Sequence, residues 1–530
     1  MKTIFKITFG AFLVLFLVGC TKNFEEINTD PNFPQDVTTS SLMTAAQKGL
    51  CDDIYDAWWG GRQSMLWAQY WTQRNYTSED RYGIRQSVNN NYWRILYHDI
   101  ANLVEVIRLN TDEETKAAAA LNGPNNNQIA CATILKVWAM HMMVDTYGDI
   151  PYSQAFQGSA EEPIYTPAYD PQTTIYQSLL TELNAAIGMI DEGSGGFTTG
   201  DVIYGGNMTN WKKFGNSLYL RILLRMSQKD YTTALDFVNS VGVDGLIASN
   251  SENADFSYIG SSPNNSPMYD AYWTDNRNDF TVAKPFINLL KGVDDTLNGK
   301  INPFNGLVDP RLEIYSRKKS GVYMGMPYGM PDALTQSYKS KCPSFYGTGA
   351  YDPAYAIVVM NPKFPMPYFH YDEVCFMLSE INGWDQTYYE NGVRASIEFW
   401  RDLAVNLEGW DQAKVEVFDS TYEAYMGLLP PAEKKTVMTQ KYLAFYVQGY
   451  QAWSEYRRMG EPEMLVKPGE ITHVTSSGDV LFEPLVTIST IPWRLTYPVQ
   501  EYTINPTAVN NAATAIGGDE FSTKLFWQPN

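Results

Sequence analysis

Apolar residues recur along much of this chain at the spacing of one helical face. Trp93, Leu96, Tyr97, Ile100, Leu103, Val104 and Ile107 fall at i, i+3, i+4, i+7, i+10, i+11 and i+14, the spacing of an amphipathic helix. Tyr176, Leu179, Leu180, Leu183, Ile187 and Ile190 repeat the pattern. Between them, "CATILKVWAMHMMVDTYGDIPYSQAF" begins as a helix that is apolar nearly all round. Gly148 and Pro151 predict its end near Gly148. Another helix follows Asn210 in "NWKKFGNSLYLRILLRMS". Asp170 or Thr173 suits the N-cap of the 176–190 helix, and Thr209 or Asn210 that of the next. Helices return at "DEVCFMLSEINGW", "TYYENGVRASIEFWRDLAV" and "KKTVMTQKYLAFYVQGYQAWSEYRRMG". Paired amphipathic helices toward both ends predict a mainly α fold. It is a tetratricopeptide-like scaffold of helical pairs at approximately 40–230 and 365–460. No clean repeat of roughly 34 residues is visible, so the expectation rests on pairing. Residues 231–364 and 461–530 are richer in Gly, Pro, Asn and Ser and predict loops with few short strands. "GVYMGMPYGM" is typical of them. Irregular stretches this long in a compact protein are usually functional.

The beginning of the chain obeys a different logic. Ile7 to Val18 carries one hydroxyl, Thr8, and no charge. It is shorter than the roughly 20 apolar residues that span a bilayer. Lys2 and Lys6 precede it, and Gly19 and Cys20 follow. Charge, apolar run, small residue and cysteine in that order read as a signal peptide over 1–19 that resembles a bacterial lipobox. The resemblance implies cleavage after Gly19 and acylation of Cys20, a membrane anchor of several acyl chains. Residues 20–36 are rich in Asn, Asp, Glu and Pro and read as a flexible tether. Glu25 and Glu26 resemble the surface-export signals of some Gram-negative lipoproteins. Residues 37–530 then form a single domain.

The formal net charge is −20, and losing Lys2 and Lys6 with the leader makes the remainder more acidic still. Such a surface argues against nucleic acid and against basic docking on anionic lipid. Beyond Cys20, the chain holds Cys51, Cys131, Cys342 and Cys375 with no C-x-x-C spacing, which argues against a zinc site. Cys131 and Cys375 sit in apolar helical stretches and read as buried thiols.

Enzyme signatures are missing. His98, His141, His370 and His473 are far apart and none belongs to H-E-x-x-H. There is no G-x-S-x-G elbow. "GVDDTLNGKI" has Ile301 where a P-loop requires Ser or Thr, and its first glycine is misplaced. "TDNRND" resembles a calcium loop only loosely, without the acid order or the later glutamate of an EF-hand. A structural calcium is therefore not supported, and no cofactor or metal is expected. Carboxylate pairs for glycoside hydrolysis are defined by separation in space, and the 59 acidic residues allow many. A surface glycoside hydrolase therefore stands as an alternative to a binding protein. A tetratricopeptide scaffold without a small ligand is the other.

Aromatic residues make up 14% of the chain, and Tyr and Trp combine a flat apolar face with a polar handle. Two irregular stretches place them beside hydrogen-bonding groups. In "WWGGRQSMLWAQYWTQRNYTSEDRY", Trp67, Tyr70 and Trp71 are at helical spacing and suit a core equally well. Tyr76 and Tyr82, with Arg74 and Asn75, have neighbours too polar for a core and are ligand candidates. In "NNSPMYDAYWTDNRNDF", the candidates are Tyr269, Asp270, Tyr272, Trp273 and Arg277. Flat rings with Asn, Asp and Arg suit a sugar, though aromatics also line peptide pockets. By contrast, Arg221, Arg225, Glu373, Glu380, Arg457 and Arg458 read as internal ion-pair or hydrogen-bond scaffolding, since buried arginines need partners. Asp145, Tyr147, Gly148 and Asp149 read as helix-termination chemistry.

Eight stretches together resemble the SusD/RagB family of nutrient-binding outer-membrane lipoproteins, in its second, SusD-like branch. In order they are "NFEEINTDPNFP", "VDTYGDIPYSQAF", "DVIYGGNMTNWKKFGNSLYLRILLRMS", "DPRLEIY", "DEVCFMLSEI", "YYENGVRASIEFW", "AWSEYRRMGEP" and "IPWRLTYPVQEYTIN". Ser379 stands where family members often have alanine. The resemblance implies a helical core of four tetratricopeptide-like units with a loop-rich region packed on it. It implies a SusC-like TonB-dependent transporter as partner, in the outer membrane of a Gram-negative bacterium and facing the cell surface. The implied work is non-catalytic capture of oligosaccharide or peptide and its delivery to that transporter.

Overall fold

A computed structural model of the chain describes residues 37–275, 277–342, 345 and 357–529. The expected signal peptide, Cys20 and the expected tether lie outside the described residues, as does Asn276 of "TDNRND".

The expected mainly α architecture is present. Helix α1 (Thr39–Ile54) packs on α2 (Gln86–Thr111), α2 on α3 (Asn125–Tyr147), α3 on α4 (Gln172–Met189) and α4 on α5 (Met208–Met226). Helix α6 (Thr232–Val241) continues this series into a region expected to be loop. The short helix α7 (Asp332–Tyr338) lies within the irregular part. Helices α8 (Tyr371–Ile381), α9 (Gln386–Glu408), α10 (Gln412–Met426) and α11 (Lys434–Ala444) form the second group, and α8 returns to contact α5. Helix α12 (Gly449–Met459) packs on the segment 60–67. Helix α13 (Pro506–Ala515) interrupts the C-terminal loops.

The apolar helix α3 explains how these groups share one core. It is long and apolar enough to cross a membrane, yet 89% of its apolar window is buried inside the protein. A helix that is apolar all round belongs at the centre of such a packing. Trp138 on it is fully buried and donates from its indole nitrogen to the Tyr368 carbonyl at 2.9 Å. The helix ends at Tyr147, with Gly148 at φ +86° as cap. Helix α5 is capped by Asn207, whose side chain accepts from the Asn210 N–H at 3.1 Å, and not by Thr209 or Asn210. Helix α4 begins at Gln172, earlier than its apolar face suggests. Its first turn is served by Asp149, which accepts from the Gln172 N–H at 2.9 Å. Asp170 instead accepts from the Tyr152 and Ser153 N–H groups.

The stretch "KKTVM…RRMG" is two helices rather than one. The chain breaks between Ala444 and Gly449, where Val447 has φ +74°. A Cβ on Gly449 would lie 2.5 Å from the Ser64 carbonyl carbon. The break lets α12 lie directly against the 60–67 backbone, where no side chain would fit.

The buried arginines of the scaffold lie against carboxylates or carbonyls. Arg221 clasps Glu373 through two parallel hydrogen bonds, one of 2.7 Å, joining α5 to α8. Arg458 pairs with Glu380 and Glu455. Arg225 lies 3.3 Å from both Asp145 and Glu455. Burial raises the Glu455 carboxyl, but Arg458, Lys441 and Arg225 together hold it well below the usual carboxylate range. Arg457 has no carboxylate clasp: it donates to the Asp145 and Trp493 carbonyls at 2.8 Å and stacks on Trp453. Asp145 is thus more than a helix terminator, since it also accepts from the Tyr176 hydroxyl.

Strands are few and short. Among the described residues they form five two-stranded antiparallel pairs. The pair of β1 (Trp71–Gln73) with β2 (Phe280–Val282) has Thr72 opposite Thr281, and it positions the site described next.

Candidate functional site

The β1–β2 pair joins the two stretches nominated from sequence. Contact continues past the strands. The Arg74 N–H donates to the Asp279 carbonyl at 2.6 Å, and the Asn75 side chain donates to the Asn278 carbonyl at 3.3 Å. Beneath them Arg62, 2% exposed, spans both stretches. Its guanidinium lies 2.7 Å from Asp279 and 3.6 Å from Glu79.

Trp58 presents its ring at the junction. Asp56 accepts from the N–H groups of Trp58, Trp59 and Gly60 at 3.0, 2.6 and 3.2 Å, holding the turn that displays it. Burial pushes the Asp56 carboxyl up to about 7 against the pull of those three donors. The chain then forms a π-helical turn over Gly60–Ser64, a geometry that recurs at functional sites. Gly61 is required there, since a Cβ would lie 2.8 Å from the Phe280 ring. Three guanidinium groups surround the half-buried Trp58 ring: Arg277 at 4.4 Å, Arg62 at 4.9 Å and Arg85 at 5.8 Å from its centroid. These are cation–π distances.

The turn after β1 is held from inside by polar groups. Asp80 accepts from the Thr72 hydroxyl and the Gln73 N–H, while the Gln73 side chain exchanges hydrogen bonds with Glu79 and Asp80. Burial pushes the Asp80 carboxyl up to about 7, although Thr72 and Gln73 pull it down. Tyr76, at φ +58°, is 68% exposed. Its N–H donates to Asp332 of α7 at 3.1 Å, and Asn75 accepts from Lys339 at 3.1 Å. Trp58, Arg277, Asn75, Tyr76 and the end of α7 therefore form one continuous surface.

Two nominated residues are corrected. Tyr82 is fully buried, packed edge-on against Trp67 and Phe482. Its polar neighbours Glu79 and Asp80 are themselves buried and bonded to Gln73 and Thr72, so they do not mark a surface. Tyr272 is also fully buried, and its hydroxyl accepts from the Phe280 N–H at 3.1 Å. The π-helical turn Asp270–Thr274 directs it inward. Tyr269 and Trp273 stay half-buried, 6.3 Å apart between ring centroids. Asp270 serves its own turn, accepting from Asn265 and Thr274. Trp67, Tyr70 and Trp71 are core. Trp58 was not nominated, nor was Arg85. The guanidinium-rich surroundings of a Trp are invisible when the arginines come from positions 62, 85 and 277.

Among the described residues, no group of three His, Cys, Asp or Glu is placed to hold a metal ion. Cys51, Cys131, Cys342 and Cys375 are buried free thiols. A separate apolar groove of about 290 Å³ lies between α2, the 151–167 loop and the 498–505 segment. Trp93, Tyr97, Phe156 and the 75% exposed Tyr165 line it.

Residues 31–482 match a family termed SusD-like and described as starch-binding and associating with the outer membrane. The fold is similar to that of a chitin-binding protein, at 21% identity and a TM-score of 0.69, over 93% of this chain and all of that one. It is also similar to a SusD homolog from Parabacteroides distasonis, at 22% identity and a TM-score of 0.70, over 93% of this chain and 98% of that one. A SusD homolog from Bacteroides uniformis matches at 22% identity and a TM-score of 0.67, over 93% and 100%. No curated protein matches.

Proposed function

This chain belongs to the SusD-like family, and from that membership we propose that it is a non-catalytic nutrient-binding protein that captures oligosaccharide at the surface of a Gram-negative outer membrane. Cys20 carries its lipid anchor, the following tether lets it move, and a SusC-like TonB-dependent transporter receives the ligand. The observation that carries the reading is the β1–β2 pair. It gathers Trp58, Tyr76, Arg74, Asn75 and Arg277 from two distant stretches onto one half-exposed surface. A sugar ring offers an apolar C–H face to an aromatic ring and hydroxyls to Asn and Arg, so it needs this combination. Tyr269 and Trp273 lie on the helical turns that precede Arg277.

The test is calorimetric titration of the purified protein with a panel of oligosaccharides and peptides, each mixture also assayed for cleavage. Saturable binding of an oligosaccharide without new reducing ends is expected, and Trp58→Ala should weaken it about tenfold or more. Products would instead identify a glycoside hydrolase. Silence across the panel, with the transporter still bound, would leave a scaffold. Preference for peptides would keep the site but change its nutrient.

A further inference from the structure

Four cations converge at the edge of this site, and among the described residues no carboxylate pairs with them. Lys339 reaches Asn75 at 3.1 Å. Lys319 donates to the Ser340 carbonyl. Lys341, exposed, lies 5.4 Å from the Tyr338 ring. Arg74 is half-buried, and its Nη1 is enclosed with no hydrogen-bond partner. Arg74, Lys319 and Lys341 are all close enough to the buried Cys342 thiol to oppose its desolvation, which lifts it to about 11. Among the described residues none of the four lies in ion-pair reach of a carboxylate. Two of the acids at the site, Glu79 and Asp279, are each neutralised by two arginines, and the exposed Asp332 takes the backbone N–H of Tyr76.

On a chain of net charge −20, chance would surround a cation with acids. Gathering like charges costs self-repulsion, and that cost is offset when a ligand of opposite sign binds. Arg277 and Arg85, 34% and 41% exposed, extend the positive field to the face of Trp58. We infer that the captured oligosaccharide is anionic: its rings stack at Trp58 and Tyr76 while its carboxylate or sulfate groups meet Arg74, Lys319, Lys339 and Lys341. The inference rests on the oligosaccharide-binding reading above and specifies the ligand class of the same surface. Carboxylate and sulfate share the required chemistry, since both accept charge-assisted hydrogen bonds from Arg and Lys.

The experiment compares three probes on the purified protein: oligogalacturonides, the same oligomers methyl-esterified to remove the charge, and sulfated galactan oligosaccharides. At least one charged probe should bind about tenfold or more tightly than the esterified one. Its affinity should fall as salt is raised from about 50 to 300 mM. The better charged probe tells carboxylate from sulfate. Lys339→Gln and Lys341→Gln, at positions that leave the core untouched, should together remove most of that preference. Arg74→Gln should deepen the loss. Equal binding of charged and esterified probes, lost in Trp58→Ala, would overturn the charge inference and leave the site reading standing. Failure of all three probes and of neutral starch and chitin oligomers would overturn both. Binding of acidic peptides in preference to every glycan would overturn the inference while keeping the positive field.

Discussion

Arg221 and Arg74 carry the same guanidinium into different surroundings. Arg221, 3% exposed, is clasped by Glu373 across the α5–α8 contact. Arg74 is half-buried at the surface, with Asn75, Lys339 and no carboxylate partner among the described residues. The first environment neutralises its charge within the fold. The second leaves the charge without a carboxylate among the described residues. A buried pair is costly to break because the surviving charge has no solvent. An unmatched cation at the edge of the surface contributes little to stability and much to what can approach. Location alone therefore does not say what an arginine is for, and the partner count does.

Four measurements would break or sharpen that contrast. Glu373→Gln leaves Arg221 buried with half its clasp, and should cost about 3–5 kcal/mol in denaturant unfolding. A loss below about 1 kcal/mol would mean the pair does not hold α5 to α8. Trp58→Ala should weaken oligosaccharide binding about tenfold or more. Its unfolding midpoint should scarcely move, because the ring is already partly in water. A large drop in thermal midpoint would reassign Trp58 to the core. Asp80 supplies a test by pH. Its folded pKa, about 7, lies above the unfolded value of 3.8, so the folded state holds the proton more tightly. That contribution is complete below the unfolded pKa and is lost as pH rises through about 7. Stability should fall between about pH 4 and 8, and Asp80→Asn should flatten the slope when unfolding is followed across that window. The smallest effect is expected at Lys341→Gln, which should leave stability within about 0.5 kcal/mol by chemical denaturation.

The helical scaffold was legible because burial imposes a period. The face of α2 from Trp93 to Ile107 and the end of α3 at Gly148 follow directly from side-chain spacing and a residue suited to positive φ. The break before α12 was not legible. "QKYLAFYVQGYQAW" keeps helical texture, and the reason to stop is the Ser64 backbone, far away in sequence. Tyr82 and Tyr272 misled for a related reason. Polar neighbours ordinarily signal solvent, but Gln73, Glu79 and Asp80 are buried and hydrogen-bond to one another beneath β1. The candidate surface was half legible: its two stretches could be named, their adjacency could not. Lys319, Lys339 and Lys341 join it through the packing of α7 against the 74–76 turn, and Arg85 through Trp58 and Glu79. The lysines of "RKKSG" and "YKSKC" were visible as a local excess of positive charge in an acidic chain, the one signal that would have found them.

The β1–β2 pair also bears on how the protein reaches its native state. Thr72 and Thr281 are opposite each other, yet nearly the whole first helical group is threaded between them. Contacts so distant along the chain close late, since the intervening loop entropy must be overcome before the pairing rewards it. A partly folded chain could complete α1 through α5 and still have no surface around Trp58. In refolding, ligand capture should recover with the slowest phase and trail the return of helical signal. The protein would then become competent only when its two halves have met.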